Sequence, residues 1–295
     1  MNRNYLRAFH LVAREGSFTR AARSSGLSQP NLSGQVKALE TGYGVSLFER
    51  RGRTVQLTAL GSALQAITER LFALEEDAEA LLSGAHNQVL GALRVSADNA
   101  VHALPIMAEI KRRHADVILS LNVGNSDEVL ADLMNYRADV GVTAKNPIDE
   151  AFHVLPYRRD RLVLFVPKRH PWASRTSVAF RDLEGADMVL REPGSVTREV
   201  FDVARESSGI GLGRVMVIQS REAVREAVAA GFGMGVAFDR EFTRDPRFAR
   251  LAIDGAALDV GEYVVTLAAR RHFPGIRAFL DVAARMVDLS QDRAT

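Results

Sequence analysis

Apolar positions recur in this chain with two different periods, and the change of period divides it. Leu6, Phe9, Val12 and Ala13 fall at helical spacing, and Glu15-Gly16 ends the run. Ser17 is placed to cap a second helix with Phe18, Ala21 and Ala22 inward, and Gly26 stands where a tight turn needs a left-handed or close-packed residue. Ser28 caps a third helix, and Pro30 fits its first turn, where a missing N–H costs little. Leu32, Val36 and Leu39 share the buried face of that helix, and Glu49 to Leu57 reads as a β-hairpin wing with a basic tip. From Thr58 to Leu82 there is no proline, and only Gly61 interrupts good helix formers. Leu60, Leu64, Ile67, Leu71, Leu74, Ala78 and Leu81 alternate spacings of four and three, an a/d heptad seam. So narrow a seam buries little against its own domain and predicts pairing with a second copy; the alternative is an amphipathic helix lying on its own chain. Ser83 to Gln88 reads as a hinge.

Beyond the hinge, short apolar strands alternate with helices. Strands are predicted at Ala92–Ser96, Val117–Val123, Asp139–Val142, Leu162–Val166, Met188–Leu190, Val215–Ile218, Met234–Ala237 and Val264–Ala268. Helices are predicted near Asn99–His114, Ser126–Tyr136, Thr197–Ser207 and Arg221–Ala230, with a last one from Pro274. This alternation argues for an α/β region with largely parallel sheets, in two sets that suggest two lobes around a cleft.

Charge sharpens the picture of the head. Residues 1–60 carry nine Lys and Arg against three Asp and Glu, whereas the whole 295-residue chain is only +2. A compact basic head suits a phosphate-binding surface. Two short helices joined by a tight turn also let the second helix enter a DNA major groove. Thr19, Ser28, Gln29, Pro30, Asn31, Ser33, Gln35 and Lys37 are therefore candidate DNA contacts, with Arg51 and Arg53 on the wing. A helical bundle with a solvated basic face is the bland alternative.

Other chemistries find little support. There are no cysteines, so no disulfide framework or thiolate catalysis. The seven histidines are scattered without metal-ligand spacing, and no P-loop or G-x-S-x-G elbow occurs. Gly231-Phe232-Gly233-Met234-Gly235 follows a helix and precedes a strand, the reverse of a dinucleotide fingerprint. No catalytic residue, cofactor or metal is expected. No apolar signal-peptide core follows the N-terminus, and no run approaches the roughly 20 apolar residues of a membrane span, so a cytoplasmic protein is expected.

The head resembles the winged helix-turn-helix of LysR-type transcriptional regulators. Phe18-Thr19-Arg20-Ala21-Ala22, Leu27-Ser28-Gln29-Pro30, Leu32-Ser33, Lys37-Ala38-Leu39-Glu40, Gly44, Leu47-Phe48-Glu49-Arg50 and Leu57-Thr58 carry the resemblance. Gly34 departs from it, standing where the family usually has a long polar residue. The resemblance implies an α+β multidomain chain: a winged helix-turn-helix at 1–58, a linker and dimerisation helix with hinge at 59–88, and an effector-binding domain at 89–295. That domain would be two-lobed α/β, resembling periplasmic binding proteins, with lobe one about 89–160 and 268–295 and lobe two about 161–267. The implied partners are a double-stranded DNA operator, a small anionic effector, RNA polymerase if the protein activates, and further copies as a homodimer or homotetramer. The competing reading is a cytoplasmic small-molecule-binding α/β protein, a solute receptor or an enzyme, whose basic head reads no DNA.

In open α/β sheets ligands sit beyond the carboxyl ends of strands, against helix starts. Ser96, Asp98, Asn99, Asn125, Ser126, Thr143, Ser195, Thr197 and Arg198 occupy such positions and are candidate effector contacts, though each alone also suits a helix cap. Asp98 is placed either to meet an ammonium on the ligand or to cap the following helix. Val123–Leu130, Asn135–Arg137, Arg191–Ser195 and Ser220–Gly231 look like LysR-type regulators associated with aminoethylphosphonate catabolism. That likeness implies 2-aminoethylphosphonate or a related phosphonate as effector.

Overall fold

The computed structural model describes residues 1–51, 54–84, 91–242 and 245–291. Local capping signals build the head. Helices α1 (Arg3–Glu15), α2 (Phe18–Ser25) and α3 (Gln29–Tyr43) start at Asn2, Ser17 and Ser28, whose side chains accept backbone N–H groups of the first turn. Gly16, Gly26 and Gly44 close the three helices in the left-handed conformation. Leu6, Phe9, Val12, Ala21, Leu32, Val36, Leu39 and Leu47 form one buried cluster. Strands β1 (Phe48–Arg51) and β2 (Thr54–Leu57) pair antiparallel as the wing. The Glu40 carboxylate fastens the wing to α3 by accepting Leu47 N at 2.7 Å and Phe48 N at 3.2 Å.

Helix α4 (Ala59–Gly84) begins beside the wing. Gly61, the one interruption in its helix formers, is explained by close approach: a Cβ there would stand 2.1 Å from the Leu47 carbonyl oxygen. Thr68 and Phe72 turn to the head, while Leu60, Ile67, Leu71 and Leu74 are exposed. Leu64, expected on the same seam, packs partly against the head's own cluster. Ala78 is exposed, and the side chain of Leu81 lies outside the described residues.

The chain divides into two compact units, Met1–Asn87 with Asn135–Arg137, and Gln88–Met134 with Ala138–Thr295. In the second unit β3 (Ala92–Ala97), α5 (Ala100–Arg113), β4 (Ile118–Val123), α6 (Ser126–Met134) and β5 (Val140–Thr143) begin one lobe. The long β6 (Phe152–Pro167) leads out of it into β7 (Ser177–Ala179), β8 (Met188–Arg191), α7 (Val196–Ser208), β9 (Val215–Ile218), α8 (Arg221–Ala230), β10 (Met234–Phe238) and β11 (Phe248–Asp254). Strand β12 (Asp259–Leu267) and α9 (Pro274–Gln291) return. The strand order is β4-β3-β5-β12-β6-β10-β8-β9, with β11 on β6 and β7 on β11.

This sheet is more mixed than expected. Parallel pairs occur within each lobe, but β12 runs antiparallel to β5 and β6, and β6 antiparallel to β10 and β11. The cause is that β6 and β12 are crossing strands, pairing from Phe152↔Leu267 to Arg161↔Asp259. The return to lobe one therefore comes before the expected residue 268, since β12 already pairs with β5 through Tyr263, Val264 and Val265. Lobe one buries Val95, Ile106, Val142, Tyr157, Val264 and Phe279; lobe two buries Leu164, Phe180, Leu190, Phe201, Val236 and Leu251. Each fully buried Leu, Ile, Val or Phe contributes about 1.5–3 kcal/mol, so each lobe has its own core holding its strand ends in place.

Candidate functional sites

The exposed face of α3 carries most of the candidate DNA contacts, with Ser28 as its N-cap and Thr19 on α2. Thr19, Ser28, Gln29, Pro30, Asn31, Ser33 and Lys37 are exposed, and Gln35 is half-buried. Gln35 Nε2 donates to Asn31 Oδ1 at 2.8 Å, one turn earlier, so the two amides form one polar edge. The same face includes Gly34, where an added Cβ would meet nothing within 4 Å. A helix presenting short amides and hydroxyls beside a lysine can approach a base edge with its backbone close to phosphates. Arg53 and the side chain of Arg51 lie outside the described residues.

The second site lies between the lobes of the second unit. A cavity of about 570 Å³ is lined by Asn99, Ala100, Val123, Gly124, Asn125, Glu128, Arg191, Glu192, Gln219, Ser220, Arg221 and Glu222. It sits beyond the carboxyl ends of β4, β8 and β9, where the topology of such sheets places ligands. Several contacts join the two lobes nearby. Asn125 Nδ2 donates to Glu192 Oε1 at 3.3 Å, Arg221 Nη1 donates to the Asp98 carbonyl, and Lys145 pairs with both Asp127 and Glu199.

Of the expected effector residues, only Asn99 and Asn125 line this cavity. Asn99, not Asp98, caps α5, its Oδ1 accepting Val101 N at 3.0 Å. Asn125 and Glu128 cap α6 reciprocally, with Glu128 N on Asn125 Oδ1 at 2.9 Å and Asn125 N on Glu128 Oε2 at 2.8 Å. Asp98 is buried, and its Oδ2 accepts Ser126 Oγ at 2.7 Å, Thr143 Oγ1 at 3.0 Å and Ala144 N at 2.7 Å. The hydroxyls expected to bind a ligand anion are thus bound by the protein's own carboxylate. Ser96 is likewise turned inward, donating to Asp132 Oδ2 at 2.8 Å. In the second lobe Ser195 is buried at the start of α7, and Thr197 lines a small separate cavity behind Arg191 and Arg221. Arg198 faces Asp202 on its own helix and donates to the Arg191 carbonyl at 3.2 Å, away from the main cavity.

The charges that do face the cavity were not among those expected. Arg191, which ends β8, is buried and pairs with Glu192 through Nε at 2.8 Å and Nη2 at 2.9 Å. Its Nη1 has no partner among the described residues. Burial pushes the Glu192 carboxyl up, but the Arg191 guanidinium overrides this and holds it below its ordinary value. Glu222 accepts Ser220 Oγ at 2.9 Å, and its own backbone N–H leads the effects that lower its carboxyl. The signal for Arg191 and Arg221 was present, since both stand where a strand ends or a helix begins.

Beside this cavity the structure gathers a group that no spacing announced. His102 on α5, Glu241 in the turn after β10 and Glu262 on β12 lie together and are buried. Burial holds the imidazole near a pKa of about 4, against a smaller pull upward from Asp98. Burial pushes both carboxyls upward, Glu262 most, and the Asp98 charge adds to the effect.

Known proteins match this arrangement along most of the chain. Residues 86–288 match the LysR substrate binding domain, and residues 4–62 match the bacterial regulatory helix-turn-helix protein, lysR family. The RuBisCO operon transcriptional regulator of Allochromatium vinosum is 33% identical over 78% of this chain and 77% of its own length. The structure of full-length CbnR complexed with its target DNA is similar at TM-score 0.72 and 23% identity, over 97% of this chain and 100% of that one. The regulatory domain of CcmR from Synechocystis PCC6803, in complex with 2-PG, is similar at TM-score 0.61 and 23% identity, over 67% of this chain and 97% of that one. These two structural likenesses speak for the fold. Among the described residues no helix is long and apolar enough to cross a membrane. With both the DNA-binding head and the effector-binding domain matched, the chain belongs to the LysR family of transcriptional regulators.

Proposed function

We propose that this regulator binds a double-stranded operator through α3 and the wing, assembles through the exposed stripe of α4, and is switched by a small zwitterionic or anionic effector between its lobes. The observation that carries the effector reading is the buried Arg191, which lines a polar cavity and whose Nη1 has no partner among the described residues. An anionic oxygen there would complete a charge-assisted hydrogen bond. Glu128 and Glu222 suit an ammonium better than Asp98, because they line this cavity and Asp98 does not. A phosphonate or carboxylate with an amine arm therefore fits, and 2-aminoethylphosphonate is one such molecule. CcmR's 2-PG and the RuBisCO operon regulator's name speak for other metabolism in those proteins, so the proposal rests on charge arrangement.

Calorimetry on the full chain with 2-aminoethylphosphonate, ethylphosphonate and inorganic phosphate tests this. Arg191→Met should weaken every anion that binds, while Glu222→Gln should weaken only the aminoalkyl compound. Unchanged affinity for a bound anion in Arg191→Met would overturn the cavity assignment. The DNA reading is tested separately. Lys37→Ala should reduce the salt dependence of operator binding by about one unit of slope if Lys37 meets a phosphate.

A further inference from the structure

His102 and Glu262 are buried without hydrogen-bond partners among the described residues, and Glu241 is buried beside them with one oxygen unserved. Both imidazole nitrogens, Glu241 Oε1 and both Glu262 oxygens have no hydrogen-bond partner among the described residues. Proteins rarely leave even one buried polar atom unsatisfied, because each costs about 1–3 kcal/mol, and more when charged. Here such atoms converge. His102 Nε2 lies 3.6 Å from Glu262 Oε1 and 3.7 Å from Glu241 Oε1.

That spacing selects among explanations. It is longer than a normal hydrogen bond, so the three groups do not satisfy one another. Donor atoms held roughly 2.0–2.2 Å from one tetrahedral cation stand about 3.4 Å apart, close to what is observed. The three donor atoms all lie within 4.8 Å of one another. We propose that His102, Glu241 and Glu262 hold one divalent transition cation, Zn²⁺ or Mn²⁺ in class, where the crossing strand meets both lobes.

The donor set supports this class. One imidazole with two carboxylates suits borderline cations; the imidazole disfavours Mg²⁺ and Ca²⁺, and the absence of any thiolate disfavours Cu⁺. The negative charge of Asp98 also acts on all three groups, which a dication would relieve. Arg221 Nε donates to Glu241 Oε2 at 3.1 Å, fixing the carboxylate so that Oε1 is the oxygen left free. The donors come from α5 in lobe one, the turn after β10 in lobe two, and β12. A cation there would brace the lobes at their crossing, independently of whatever fills the larger cavity.

The test uses the full chain, stripped with a chelator and dialysed against Zn²⁺ or Mn²⁺. Elemental analysis should give one cation per chain, with a raised melting temperature. His102→Gln and Glu262→Gln should each weaken binding by roughly tenfold or more. His272→Gln, a change at an exposed histidine, should leave binding unchanged. X-ray absorption on the loaded parent should show one imidazole among oxygen donors, a readout that stands even where a variant fails to fold. A bound fraction below about one tenth in the parent, or equal binding in Glu262→Gln and the parent, would overturn the site. A shell without imidazole would do the same.

Discussion

Asp98→Ala should destabilise the effector-binding domain severely, whatever it does to a ligand. The carboxylate Oδ2 receives Ser126 Oγ at 2.7 Å, Thr143 Oγ1 at 3.0 Å and Ala144 N at 2.7 Å. All four residues are at most 5% exposed, so water cannot replace the lost acceptor without a rearrangement. Bonds to a charged group contribute about 1.5–3 kcal/mol each, and an orphaned buried donor costs about 1–3 kcal/mol. Three donors orphaned together, with some relaxation, come to on the order of 4–6 kcal/mol, a large part of a domain's stability. Asp98→Asn keeps the shape and one acceptor oxygen. Neutral bonds are about half as strong as charge-assisted ones, which puts this loss near 2 kcal/mol. Ser126→Ala removes one donor and leaves the acceptor served by two, for about 1 kcal/mol.

The chain's single tryptophan makes the assay specific. Trp172 packs against the second lobe's core, so its fluorescence during urea unfolding follows this domain and not the head. The midpoint should fall in the order Ser126→Ala, Asp98→Asn, Asp98→Ala with the slope unchanged. The double variant Asp98→Asn with Ser126→Ala should lose about 1 kcal/mol less than the sum of the singles, because the two share one bond. Losses below about 0.5 kcal/mol in both Asp98 variants would refute the reasoning, since that is the range of surface substitutions away from any contact.

Gly34→Ala should stabilise the head by about 1 kcal/mol, because its added Cβ meets open space on α3 and helix propensity alone decides; an unchanged or lowered head melting point would count against this. Ile67→Asp should dissociate the assembly while leaving each chain folded, since Ile67 is 61% exposed and an unpaired charge between helices costs several kcal/mol; sedimentation showing intact assemblies would remove α4 from the interface. His10, held near a pKa of about 4 by burial and then by Arg14 and Arg7, is uncharged in the folded head. Its contribution is therefore complete above pH 6.5 and is lost as pH falls towards 4, about 2 kcal/mol by pH 5. Thermal unfolding of His10→Gln should show correspondingly less acid loss than the parent, and equal losses would contradict the assignment. Glu192→Gln should tighten inorganic phosphate binding while lowering stability, because it weakens the carboxylate partner of Arg191 and leaves that guanidinium less compensated; weaker phosphate binding would mean that Arg191 does not face the anion.

What was legible in the sequence follows the range of the forces involved. The head could be read because its signals are local: Ser17, Gly26 and Ser28 act on backbone groups only a few residues away. The heptad seam was visible for the same reason, yet periodicity could not show that Leu64 leans on the head's own core. The apolar pattern predicts only the five residues Leu162–Val166 of strand β6, which spans sixteen. Its Arg158-Arg159-Asp160-Arg161 run hides the strand, because the backbone there is held by β12, about a hundred residues later. The same long-range pairing reversed the expected strand direction at the centre of the sheet.

The cleft shows where a positional rule stops. Placing ligands beyond strand ends leads to the neighbourhood of the cavity between the lobes, because that rule depends on topology. It could not say which polar atoms were already engaged. Ser96, Ser126 and Thr143 have their hydroxyls on Asp132 or Asp98, so they fasten lobe one together and have little left for a ligand. Availability is the difference between a group's bonding capacity and the partners the fold supplies, and only the second quantity needs the structure. The unsatisfied nitrogen of Arg191 and the convergent atoms of His102, Glu241 and Glu262 are large differences of this kind. Glu241 and His102 are separated by well over a hundred positions, so no motif could have joined them. A buried group that the fold leaves without a partner is a stronger pointer to a ligand than any polar residue at a helix start, because leaving it so costs the free protein stability that a bound ligand can restore.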